Sequence, residues 1–390
     1  VVYNHLSEYE IGNLKEIDKE YYFRTDSHGK LTSKSFTGND LKTERPMMRR
    51  LIVDSILYWM NEYHIDGFRF DIAILIDWQT IEEIAAQAQR INPNVILIAE
   101  TWGNSHDPAG FSLRGFSSWN DQIRNGVKGE NPHDGKGWLF ENWFGNIDYN
   151  RIRSYIQGTL VKDRHGLFQM KEHSVNYLES HDGYTLGDFI RLALGDVEKG
   201  QVIDDTIKNI TLTPLQLKIN KLAALFLFVS QGIVMIHAGQ EFARSKVISP
   251  NTKVKDPNIG KLDHNSYEKD NETNYINYEH AEINNELLSY YKSLIRLRNT
   301  YETFRRPDRD EIKFYDNHNN PFLLSFELNH KEEHFVVYLN AYHEMEFNVS
   351  LPEGRWQMLV NEDIAGTKGH RLLENELKIQ AISGYVLRKV

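Results

Sequence analysis

Three carboxylates in this sequence stand where a fold could use them together. Asp71 closes the short run His64-Ile65-Asp66-Gly67-Phe68-Arg69-Phe70-Asp71, with Arg69 two residues before it. Glu100 closes the apolar run Val95-Ile96-Leu97-Ile98-Ala99-Glu100, and Asp182 lies in Asn176-Tyr177-Leu178-Glu179-Ser180-His181-Asp182-Gly183. Acids at the carboxyl ends of successive buried strands are where a β/α barrel keeps its reactive groups. Two carboxyl groups about 5–5.5 Å apart are what breaking a glycosidic bond with retention requires, one as nucleophile and one as acid and base. Arg69 has the strand parity of Asp71, so both side chains leave the strand on one face, where a guanidinium can fix the carboxylate's direction. A general acid must begin protonated, which burial or a neighbouring negative charge arranges. The apolar run before Glu100 and Trp102 after it place that residue in a buried cleft rather than at a wet strand end.

The elements that must position these groups alternate. Residues 6–45 are polar, with Gly12, Gly29 and Gly38, and read as a long loop insertion. From Pro46, tolerable in a first turn, Leu51, Ile52, Ile56, Trp59, Met60 and Tyr63 recur at helical spacing. The strand to Asp71 follows. Thr80 and Glu83 then form a capping-box pattern for a helix to Ile91, which Pro93 stops before the strand to Glu100. This β-α-β order with short links predicts a parallel sheet with helical crossovers. Residues 119–124 are placed as the next strand by order, Val175 to Asp182 as another, and Gly232 to Gly239 as the last. Thr213-Pro214-Leu215-Gln216 is a helix start, and a final amphipathic helix fills roughly 281–299. From about 306 the pattern changes to short aromatic and aliphatic runs at 322–328, 335–339, 347–351 and 356–360, which read as an antiparallel β-sandwich.

The runs HIDGFRFD, ILIAETW and NYLESHDG, with VVYNH at residues 1–5, resemble in order the four motif regions of the α-amylase superfamily of glycoside hydrolases. Gly38-Asn39-Asp40, Glu44-Arg45-Pro46-Met47 and Ile236-His237-Ala238-Gly239-Gln240-Glu241-Phe242 look like its pullulanase and isoamylase branch, which cuts α-1,6 branch points. The resemblance implies a (β/α)8 TIM barrel over residues 1–305 that lacks its first strands, followed by a C-terminal β-sandwich over 306–390. It implies Asp71 as nucleophile, Glu100 as general acid and base, and His181 and Asp182 on hydroxyls of the sugar being cleaved, with Asp182 helping to distort the ring. His5 would contact the same sugar, and Arg69 and Trp102 complete the expected binding set. Asn4 would support the loop, or a Ca²⁺ in those relatives that bind one; no cofactor is expected. Three features depart from the pullulanase pattern: Thr101 replaces the usual Pro between Glu100 and Trp102, Gly183 follows His181-Asp182 as in isoamylases and glycogen-debranching enzymes, and the stretch Ile72 to Leu75 is unusual after the nucleophile. An α-1,4-cutting, neopullulanase-like hydrolase is therefore the nearest rival, and a catalytically silent glycan-binding remnant the rival of a different class.

Composition narrows the partners. A net charge of −10 and a pI near 5.9 offer no basic excess for nucleic acid or an anionic membrane, whereas a neutral α-glucan needs none. Aromatic residues make up 12% of the chain, enough to supply sugar platforms beyond the core's needs. The chain has no cysteine, so neither a disulfide nor a thiolate metal site exists; a reducing bacterial cytoplasm fits, and so does a secreted bacterial enzyme. With its first strands absent, the barrel is expected to leave an open edge, so that residues 1–390 alone are poorly soluble or pair with a missing N-terminal segment or a second chain.

Overall fold

A computed structural model describes residues 1–8, 13–103, 105–143 and 148–390; Gly12, expected in the long loop, lies outside them. The chain divides into two compact units, residues 1–119 with 159–175, and residues 120–158 with 176–390.

The first unit is a parallel α/β layer. The helix Pro46–Tyr63 buries Met48, Ile52, Val53, Ile56 and Met60. Leu51, Trp59 and Tyr63, expected on its apolar face, are 47%, 39% and 56% exposed instead. His64 ends the helix in the left-handed region (φ 54°) and returns the chain into the strand Gly67–Phe70. Gly67 is required there: a Cβ would lie 2.4 Å from the Ile96 carbonyl oxygen of the next strand. The helix Trp78–Ile91 leads to the strand Ile96–Ala99, and the two strands pair in parallel, Gly67 with Ile96 through Phe70 with Ala99. Ser117–Trp119 adds a third strand and Ser174–Val175 a fourth, all parallel. Phe70, Ile81, Ile84, Ala88, Leu97, Phe111 and Phe116 form the core between sheet and helices.

Three local expectations differ from the structure here. The helix after Asp71 is capped by Asp77, whose carboxylate accepts from the Thr80 N–H at 3.1 Å; Thr80 is already inside the first turn. An Asp three residues before a capping-box pattern wins because its side chain reaches the same orphan N–H groups. The strand expected over 119–124 stops at Trp119, since the Asn120 side chain accepts from the Ile123 N–H and starts a helical turn. The long loop is more structured than its polarity implied: it holds the kinked helix Asn13–Tyr22 and an antiparallel pairing of His5–Leu6 with Asn39–Asp40.

The second unit packs helices on antiparallel sheet. The helix Pro214–Val229 begins as its sequence predicts, with Thr213 and Gln216 in a reciprocal capping box, and its last eight residues, Leu222 to Val229, are all buried. The helix Asn285–Thr300 packs with it. Six antiparallel strands include Leu323–His330, Glu333–Asn340, Trp356–Val360 and Ser383–Lys389. Their alternation serves two cores. Phe335, Val337 and Leu339 join the helices, whereas Val336 and Tyr338 face Trp356, Leu377 and Ile379 and the two-stranded sheet Phe347–Ser350 with Glu376–Ile379. The strand expected over 175–182 is limited to Ser174–Asn176, because the chain bends at Ser180, whose hydroxyl accepts from the Asp182 N–H at 3.3 Å. The strand expected over 232–239 is only Ile233–Val234, next to the Met235 N–H that donates to the Asn176 carbonyl at 2.9 Å.

Candidate active site

In the first unit, two neighbouring parallel strands deliver the predicted carboxylates to one place. Asp71 follows Phe70 and Glu100 follows Ala99, and those two residues are direct register partners. Arg69 joins them: its guanidinium meets Asp71 Oδ1 at 2.6 Å and Glu100 Oε1 at 2.8 Å. One rigid fork on both acids offsets their mutual repulsion and fixes both directions. Asp71 remains 27% exposed while Glu100 is 8% exposed, so one acid is open to a ligand and the other sits back. The other Glu100 oxygen accepts from the Ile72 N–H at 2.7 Å.

The surrounding residues set this pair. The Asn4 amide donates to the Asp71 carbonyl and its oxygen meets His5 Nδ1, so His5 is linked to the nucleophile candidate through Asn4. His5 Nε2 lies 3.2 Å from the Thr37 hydroxyl, a partner supplied by the long loop. The backbone of Val1 pairs with this strand, donating to Arg69 O at 2.7 Å and accepting from the Asp71 N–H at 3.0 Å. Trp119 carries the Arg69 guanidinium over its ring at 4.9 Å, and Trp102 lies 6.1 Å from Trp119, centre to centre. Trp119 thus steadies the bridging cation, a role the sequence reading did not give it; its place at the end of the third strand was the available signal.

In the second unit, His181 and Asp182 sit on a turn with side chains 47% and 44% exposed, and His181 Nε2 is 3.4 Å from Asp182 Oδ2. Glu179, two residues earlier, points the other way. It is fully buried, meets His237 Nδ1 at 2.9 Å and accepts from the Leu186 N–H at 2.5 Å. Among the described residues no group of three or more His, Asp and Glu side chains could hold a metal ion.

No family model matches the sequence. Over 323 residues the chain is 28% identical to the pullulanase of Bacillus subtilis (strain 168), an alignment that covers 80% of this chain and 41% of that protein. It is 26% identical over 404 residues to the glycogen debranching enzyme of Dickeya chrysanthemi, covering 92% and 56%. The solved pullulanase from Anoxybacillus sp. LM18-11, complexed with maltotetraose, superposes with a TM-score of 0.78 at 27% identity, covering 100% of this chain and 53% of that one. The chain is similar to the pullulanase and glycogen-debranching branch of the α-amylase family. It spans about half the length of the relatives it matches. Its fold is that of the family, a partial parallel α/β barrel with C-terminal antiparallel sheets. Within that family frame the motif residues Arg69, Asp71 and Glu100 meet, whereas Thr101 occupies a wholly buried position behind Glu100.

Proposed function

We propose that this chain carries the catalytic machinery of a retaining glycoside hydrolase that cleaves α-1,6 branch linkages in pullulan, glycogen or starch-type α-glucans. The observation that supports this most is the Arg69 bridge between Asp71 and Glu100 at the ends of adjacent parallel strands. In the first step the Asp71 carboxylate attacks the anomeric carbon as its bond to the leaving oxygen breaks, and the Glu100 carboxyl gives that oxygen its proton. In the second, Glu100 takes a proton from water, the water oxygen attacks the same carbon, and the ester bond to Asp71 is released. Asp182 and His181 bind ring hydroxyls and help the sugar distort, while Arg69 keeps the nucleophile aimed. His5 and Trp102 complete the sugar contacts. Malto-oligosaccharide binding by the Anoxybacillus pullulanase supports an α-glucan as the ligand class.

Product analysis on pullulan tests this, with the chain beside its Asp71→Asn variant. Maltotriose from the parent, falling at least about a thousandfold in the variant, is the expected result. Panose-type products would instead make this an α-1,4-cutting enzyme, a reading left open by Thr101, which stands where pullulanases usually have Pro. A folded parent that binds maltotetraose and releases nothing would make it a glycan binder.

A further inference from the structure

The turn that displays His181 and Asp182 needs a backbone anchor, because half-exposed side chains on a bend do not hold a direction by themselves. Gly183 takes φ +76° with open space where a Cβ would be, so the turn is not wedged in place by packing at that residue. The anchor comes from another part of the second unit. Lys246 is 1% exposed, and its ammonium donates to the carbonyl oxygens of His181 and Gly183, each at 3.0 Å. Those two carbonyls flank Asp182.

Lys246 is itself tied down. Its N–H donates to Asp188 Oδ2 at 2.7 Å, and Asp188 is wholly buried and ion-paired with Arg191 at 3.1 Å. The Thr185 hydroxyl donates to the Arg244 carbonyl at 2.7 Å, joining the same two stretches a second time. A buried ammonium is costly in a fold. Burial draws the Lys246 pKa below the usual lysine value and the Arg244 cation adds to that, while Glu179, Asp188 and Asp263 oppose them. A neutral donor would have closed an ordinary turn at lower cost.

We propose that Lys246 is a positioning residue: by gripping the carbonyls on both sides of Asp182, its ammonium sets the direction in which that carboxylate meets the hydroxyls of a glucosyl unit. The proposal rests on the glycosidase reading of Asp182, and it is tested by two readouts that separate the two ideas. Steady-state hydrolysis of pullulan and hydrogen–deuterium exchange over residues 178–186 are measured for the parent, Lys246→Met, Lys246→Arg and Asp182→Asn. In Lys246→Met, kcat should fall by about 30- to 100-fold with KM changed less than about threefold, because misplacing a reacting group by about 1 Å costs that much. Exchange over 181–184 should rise at least about tenfold in that variant, and Lys246→Arg should recover most of both. Should Lys246→Met fail to fold, Lys246→Gln, whose shorter head cannot reach both carbonyls, is expected to give the same pattern. Exchange unchanged over 181–184 overturns the proposal. So does parental kcat in Lys246→Met beside an inactive Asp182→Asn, and that outcome leaves the glycosidase reading standing. A parent without hydrolysis refutes the glycosidase reading, and with it the role of Lys246 in aiming Asp182, whatever the exchange data show about the turn.

Discussion

Lys128 allows a prediction that needs no substrate. It is buried at the end of the π-helical turn Arg124–Lys128, with its ammonium 4.8 Å from the centre of the Phe189 ring. Burial lowers its pKa from 10.5 to about 7; Arg124 and Lys246 pull the same way, and Glu179 opposes them. Between those two values the unfolded chain holds the proton and the folded chain does not, so stability rises with pH at about 1.4 kcal/mol per pH step. The burden of the buried ammonium is full below pH 7 and absent above 10.5, and across the window it reaches about 5 kcal/mol at most. Lys128→Met keeps the side chain's length and removes the proton site. Urea unfolding of parent and variant at pH 6, 7.5 and 9 checks this. The variant should be the more stable at pH 6 by a few kcal/mol, with the gap narrowing by about 2–3 kcal/mol at pH 9. A gap that stays constant with pH would refute the reasoning, since only a group titrating inside the window can close it.

Arg69→Met should lower kcat on pullulan by about a hundredfold, and Arg69→Lys should not restore it, because an ammonium is a point donor that cannot grip both carboxylates in a fork; full activity in either variant would remove the bridge from the mechanism. Arg191→Met should destabilise the second unit by about 3–5 kcal/mol, since it strands Asp188 as a buried charge and removes the guanidinium donor from the carbonyls of Asn209 and Ala243. A loss under about 1 kcal/mol in urea unfolding would contradict that. The helix Pro46–Tyr63 shows Met47, Leu51 and Tyr58 on the side away from its core, each about half exposed, and a helix apolar on both sides is built to be covered. The 390-residue chain should therefore sediment above its 45.6 kDa monomer mass, and Leu51→Lys should bring it back down; a monomeric parent would refute this.

The two strands that end on Asp71 and Glu100 were legible because their signals are local. Asp71 and Glu100 each close a short apolar run, and the strand period of two put Arg69 on the face of Asp71, where the guanidinium is found. The Thr213-Pro214-Gln216 start was legible for the same reason, since a capping box is complete within four residues. What failed was the length of the later strands. Val175, Tyr177 and Leu178 open the run to Asp182 as a strand would, but the Ser180 hydroxyl takes the Asp182 N–H and bends the chain. Asn120 does the same after Trp119 by accepting from Ile123. Side-chain capture of a backbone N–H competes with a ladder bond at a single residue, so it leaves no periodic trace. Long-range anchors are harder still. Nothing in the residues around Lys246 announces that its ammonium ends on carbonyls more than 60 positions earlier.

The two cations at these sites answer different mechanical needs, and the residue types match them. In the first unit the groups to be fixed are two side-chain carboxylates on separate strands. Arginine suits that task, because its fork spans two acceptors in one plane and it can lie flat on Trp119 while doing so. In the second unit the object to be fixed is a bend in the backbone, whose carbonyls point inward and whose side chains must stay outside for a ligand. Lysine suits that task, since a compact ammonium on a flexible stem can reach in among converging carbonyls without requiring them to be coplanar. Lysine at the first place would keep the charge and lose the fork, whereas arginine at the second would still put a cation under the turn. Loss of function in Arg69→Lys beside recovery in Lys246→Arg would therefore show that direct bridging is strict at the first place, and that at the second the demand is for a cation under the turn rather than for one particular head group.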